Sequence, residues 1–131
     1  MDGYVNEMKK LMMALLFSLV VLPSPIAVAG EVTVVKATAH RVKDGGFQFR
    51  VTLRHGDTGW KHYADKWEVL TLDGKLLARR VLLHPHEHEQ PFTRSLGGVK
   101  IPGHVRKVRV RGHDKIHAFG GQEVEIELPG R

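Results

Sequence analysis

The eight residues Phe47 to Arg54, FQFRVTLR, set Phe47, Phe49, Val51 and Leu53 in strict alternation with Gln48, Arg50, Thr52 and Arg54. A period of two makes a strand with one apolar and one polar face, and it excludes a helix, whose apolar stripe needs spacings of three and four. The same signal recurs along the chain. Glu31 to Val42 reads as a first strand closed by Lys43-Asp44-Gly45-Gly46. Trp67 to Leu72 and Lys75 to Leu83 flank Asp73-Gly74, a strong hairpin signal. Phe92 to Leu96 and Val105 to Arg111 supply a fifth and a sixth strand. In the seventh, Val124, Ile126 and Leu128 alternate with Glu123, Glu125 and Glu127. Neither a helix signal nor an internal repeat interrupts this series.

Seven short strands in about 100 residues predict an all-β chain, a seven-stranded antiparallel sandwich of the immunoglobulin-like or fibronectin type III-like class. That domain is expected over residues 30–131. Residues 1–29 read as a signal peptide: Lys9-Lys10 precede the apolar run Leu11 to Leu22, and the small-residue triplet Ala27-Val28-Ala29 marks cleavage after Ala29. The run stops at Pro23, short of the roughly 20 apolar residues that a spanning helix needs. The expectation is therefore a periplasmic or secreted protein without stable membrane insertion after cleavage. Met8-Lys9-Lys10 also reads as a start. Cysteine is absent and all four methionines (Met1, Met8, Met12, Met13) fall in the leader, so disulfides, a lipidated-cysteine anchor and sulfur ligands to a metal are not expected. The sequence carries 20 Lys and Arg against 14 Asp and Glu, a net charge of +6. Asp2, Glu7, Lys9 and Lys10 cancel within the leader, so the excess belongs to the exported part. It favours anionic partners such as glycans, and export argues against nucleic acid.

The strand order also says where the nine histidines go. With strands running alternately up and down, every second loop lies at the same end of the sandwich. His55 and His62 fall between the second and third strands, His84, His86 and His88 between the fourth and fifth, and His113 and His117 between the sixth and seventh. All three connections share one end, and only His40 and His104 lie elsewhere, as solvated side chains. In LHPHEHEQPF, Leu83 to Phe92, Pro85 holds His84 extended, and side chains two apart on extended chain point the same way roughly 6–7 Å apart. His113 and His117, with Asp114 between them, form a second cluster. Imidazole and carboxylate without sulfur suit Zn(II), Cu(II), Ni(II) or Fe(II) rather than Cu(I). The candidate ligands are His55, His62, His84, His86, His88, His113, Asp114 and His117. Taken alone, a histidine-rich tract is a compositional signal and equally suits a solvated loop.

His55, His62-Tyr63-Ala64-Asp65-Lys66-Trp67-Glu68-Val69-Leu70, Asp73-Gly74-Lys75, Arg79 and Asp114-Lys115-Ile116-His117 together resemble the central and C-terminal motifs of desulfoferrodoxin and superoxide reductase domains. The resemblance covers about two thirds of the expected domain. It implies an immunoglobulin-like sandwich with an iron at one end, held in that family by four histidines and an axial cysteine. His55, His62 and His117 match family histidines. Gly56 stands where the family has proline, Asp114 where it has the cysteine, and no histidine loop precedes the first strand. The resemblance thus implies the fold and a metal-competent end without the thiolate that superoxide reduction uses. One of His84, His86 or His88 would replace the missing ligand.

Three function classes follow. The first is an exported, non-catalytic domain that handles or senses a divalent transition metal such as Fe, Zn or Cu. The second is an interaction module for an exported protein or an anionic glycan, using Trp60, Tyr63 and Phe119 of the same loops. The third is an enzyme with a metal-bound water and Glu87, Glu89 or Asp65 as base. Nothing in the chain matches a Ser/His/Asp arrangement, HExxH or a glycine-rich phosphate loop, so no catalytic residue is assigned. Trp67 is expected in the core, and Arg106, Lys107, Arg109 and Arg111, alternating with Val108 and Val110, on a solvated face.

Overall fold

The computed structural model describes residues 30–131; the expected signal peptide lies outside the described residues. Seven strands run in order: β1 (Thr33–Arg41), β2 (Phe47–Arg54), β3 (Ala64–Thr71), β4 (Leu76–Val81), β5 (Phe92–Val99), β6 (Lys107–Asp114) and β7 (Val124–Glu127). They divide into a three-stranded sheet β1-β2-β5 and a four-stranded sheet β4-β3-β6-β7, antiparallel throughout. The chain is an immunoglobulin-like β-sandwich, as its alternation predicts.

Each sheet turns its apolar row inward. Phe47, Phe49, Val51 and Leu53 of β2 meet Trp67 and Val69 of β3 and Val108 and Val110 of β6, all fully buried. Burying each such side chain contributes about 1.5–3 kcal/mol relative to leaving it exposed. The outer row of β3 carries Glu68, which is buried as well because its cross-strand neighbours Arg79 of β4 and Arg111 of β6 close over it.

Two strands run past their expected ends. β5 continues through Gly97 and Gly98 to Val99, because a register shift in β2 lets Phe47 pair with Val99 after Phe49 has paired with Leu96. β6 continues to Asp114, because His113 pairs with Lys66 and Asp114 with Ala64 at the start of β3. The sixth-to-seventh connection is therefore shorter than the sequence suggests, and His113 and Asp114 are strand residues rather than loop residues.

The end of the sandwich at which β2 and β6 finish and β3 begins also receives the start of the described chain. At the start of β1, the Val34 amide bonds to the Gln122 carbonyl at 2.9 Å, which draws residues 30–34 across from the three-stranded sheet toward the four-stranded one. Two glycines make that approach feasible. A Cβ on Gly112 would lie 2.3 Å from Cγ1 of Val32, and one on Gly121 only 1.8 Å from the Val32 carbonyl oxygen. Any larger residue at either position would push Val32 out and carry Gly30 with it.

Candidate metal centre

At this end three side chains bring one ligand atom each to within 4.8 Å of one another: His55, His62 and Asp114. Their supports differ. His55 follows directly on β2. His62 is held by a tight turn in which the His62 amide bonds the Gly59 carbonyl and the Thr58 amide bonds the His62 carbonyl. Asp114 is the last inward-facing residue of β6, continuing the row Val108, Val110, Gly112. Its Oδ1 accepts the amides of Ile116 and His117 at 2.8 and 2.6 Å, which folds the chain over the strand end and sets His117 beside it.

The two imidazole–carboxylate spacings suit a shared ion. His55 Nε2 lies 3.5 Å from Asp114 Oδ2, and His62 Nε2 lies 3.6 Å from Asp114 Oδ1. Two ligands of a tetrahedral ion, each about 2.0–2.2 Å from it, stand about 3.3–3.6 Å apart. The His55 and Asp114 side chains are wholly buried, and that of His62 is 18% exposed, leaving one side of the cluster toward solvent. The His117 ring lies there, its centroid 5.0 Å from that of His62 and its Nδ1 3.3 Å from Asp114 Oδ1.

A second carboxylate, not singled out by the sequence, fixes His55. Asp57 Oδ1 pairs with His55 Nδ1 and accepts the Ala64 amide at 3.0 Å, while Asp57 Oδ2 accepts the His86 amide at 2.6 Å. The carboxylate accepts, so Nδ1 carries a hydrogen and Nε2 faces the cluster. This is the carboxylate–histidine relay that orients metal-bound imidazoles. Gln90 clamps the same region, accepting from the His55 amide and donating to the His86 carbonyl, each at 2.9 Å.

Oxygen atoms face His55 Nε2 there. The Gly30 carbonyl oxygen is 2.9 Å from it and 3.4 Å from His62 Nε2. Asp114 Oδ2 is buried without a hydrogen-bond partner among the described residues. Burial pushes the Asp114 carboxyl upward, but the His117 and Ile116 amides, with the charges of His55 and His117, outweigh it and hold the group below its usual range. Buried oxygens gathered in this way need a cation or a donated proton among them.

The remaining candidates go elsewhere. The period of two in β6 turns His113 away from Asp114 to the outer face, where its Nδ1 bonds Asp65 at 2.6 Å and its ring meets Phe119 edge-on. His86 is buried but stacks on Phe92 with centroids 3.9 Å apart, and its Nε2 takes a hydrogen bond from Arg94. Burial first, then Arg94 and His84, hold the His86 ring below its ordinary value against Asp57 and Glu89. His84 and His88 line an open hollow of about 540 Å³ with Trp60, Pro85, His86, Glu87 and Glu89. The LHPHEHEQPF stretch thus supports the centre through the His86 amide on Asp57. His84, His86 and His88 do not join the group formed by His55, His62 and Asp114.

No family model matches the chain, and no solved structure matches it. Over 97 residues, 74% of this chain, it is 43% identical to a putative lipoprotein of Halomicrobium mukohataei. The match takes in 47% of that protein, so the chain spans about half the length of the relative. Among the described residues no helix is long and apolar enough to cross a membrane.

Proposed function

We propose that this is an exported, non-catalytic protein that binds a divalent transition metal through His55, His62 and Asp114, with His117 at the solvent side, to handle or sense that ion. One observation carries the reading: a buried carboxylate oxygen without a hydrogen-bond partner among the described residues, set opposite the His55 Nε2 that Asp57 aims at it. The nitrogen and oxygen donors favour Zn(II), Cu(II), Ni(II) or Fe(II). Export is supported by the leader-like first 29 residues and by the lipoprotein name of the relative. The likeness to desulfoferrodoxin domains enters as a proposal of common ligand placement, with Asp114 in place of the thiolate. A carboxylate there favours binding over that family's redox chemistry.

The test is metal content and thermal unfolding of the protein with Zn(II), Cu(II) and Fe(II) in turn. One ion per chain and a raised melting temperature, both lost in His55→Ala and His62→Ala, are expected. No uptake by the unsubstituted protein would overturn the reading.

A second reading, an interaction module for a protein or anionic glycan, rests on Trp60. Its side chain is 64% exposed, edge-on to Tyr63, beside the hollow lined by His84 and His88. Binding through Trp60 would be indifferent to chelators, which separates it from the first.

A further inference from the structure

The acceptor that faces both His55 and His62 belongs to Gly30, the residue that cleavage after Ala29 would leave at the amino terminus. Resting on the metal-site reading above, we propose that leader removal completes the centre: the freed α-amino nitrogen and the carbonyl oxygen of Gly30 bind the metal as a two-point chelate beside His55, His62 and Asp114.

The chemistry is that of a single residue. Its amino nitrogen and carbonyl oxygen are joined through two carbons, so a metal bridging them closes a five-membered ring. An α-amino group has a pKa of about 7.7–8.0, so it yields its proton to a metal near neutral pH. Before cleavage the same nitrogen is a peptide amide without a lone pair to donate. The uncleaved chain would present only the carbonyl.

The packing singles out this residue in two ways. Residues 30–34 are anchored by the Val34–Gln122 bond and by Val32 seated against Gly112 and Gly121, so the position of Gly30 is set by the fold. Gly30 also lies against His117: a Cβ there would come 2.3 Å from Cε1 and 2.7 Å from Nε2 of that ring. Only glycine lets the backbone at position 30 and the His117 imidazole occupy one side of the cluster together. The site is thus built from β2, the following loop, β6 and the start of the exported chain, and an unprocessed precursor lacks one donor. Metal loading would favour the exported form.

The experiment expresses the full chain with its leader and recovers the exported protein, with intact mass establishing the first residue. Beside it is a version with one serine inserted between Ala29 and Gly30, which leaves Gly30 internal after processing. Cu(II) is the probe, read by competition titration and by electron paramagnetic resonance with 15N-glycine labelling. The expected result is a first residue Gly30 and a serine-extended chain that binds Cu(II) more weakly by at least the roughly 10–100-fold that loss of an outer partner costs. Labelling should alter the nitrogen coupling only in the unextended protein. Equal affinity with a label-insensitive spectrum, or processing at another residue, would overturn the amino-terminal ligand and leave the histidine site standing. Failure of both proteins to bind would overturn the metal-site reading itself.

Discussion

Two buried carboxylates, Glu68 and Asp114, sit on adjacent strands of one sheet and have opposite surroundings. Glu68 accepts from Arg79 Nε at 2.7 Å and from Arg111 Nε and Nη2 at 3.1 and 2.9 Å, and Arg111 in turn lies over the Phe119 ring at 3.6 Å. Asp114 has backbone amides on one oxygen, none on the other, and imidazoles and a carbonyl for neighbours. The first is neutralised inside the protein and is structural. The second leaves one oxygen without a hydrogen-bond partner and facing ring nitrogens, an arrangement that a bound cation stabilises.

The strongest way to break this contrast is Asp114→Asn. At a free ion concentration a hundred times its Kd, a bound metal stabilises the folded state by about 2.7 kcal/mol, or roughly 10–20 °C in a domain of this size. The substituted protein should lose that metal-dependent rise in melting temperature while its metal-free melting point changes little. Next comes Asp57→Asn, which leaves every metal ligand in place but frees the His55 ring to turn. Metal affinity should fall on the order of 10–100-fold, measured by competition with a chelating dye, with stoichiometry unchanged.

On the other side of the comparison, Glu68→Gln should cost about 1–3 kcal/mol in urea unfolding, with or without metal, because two guanidiniums lose a charged acceptor. This group also gives the contrast a pH signature. Burial raises the Glu68 carboxyl, but Arg79 and Arg111 outweigh it and hold its folded-state value below the ordinary 4.5. A depressed carboxylate contributes stability that is present above the unfolded value and lost as pH falls through the folded one. Metal-free protein should therefore lose stability below about pH 4.5, and Glu68→Gln should flatten that part of the profile. The smallest effect belongs to Trp60→Ala, expected within about 0.5 kcal/mol of the unsubstituted protein and without change in metal affinity. A loss of metal binding there would merge the hollow with the centre.

The histidine-rich stretch and the cluster also differ in how far they could be read from the chain. Leu83 to Phe92 is the loudest histidine signal, yet two of its rings line an open hollow and the third stacks on Phe92. His55 and His62 are quiet by comparison, separated by seven positions and marked only by their resemblance to desulfoferrodoxin histidines. Asp57 gave no signal at all, because a carboxylate two residues from a histidine is common and its relay depends on the Ala64 and His86 amides, which come from other elements. Gly30 was legible as the residue that follows the expected cleavage point but not as a neighbour of His55.

What the sequence determined by itself is the sandwich, its seven strands and the end at which most of the histidines gather. Period-two alternation and the Asp73-Gly74 turn act over a few residues, and antiparallel succession then assigns each loop to an end. What only the tertiary structure decided is which groups meet. Three further residues of pairing in β6 send His113 outward and Asp114 inward, and the glycines under Val32 bring Gly30 to the cluster. Ligand distances are set by contacts between elements far apart in the chain, and no local pattern records them.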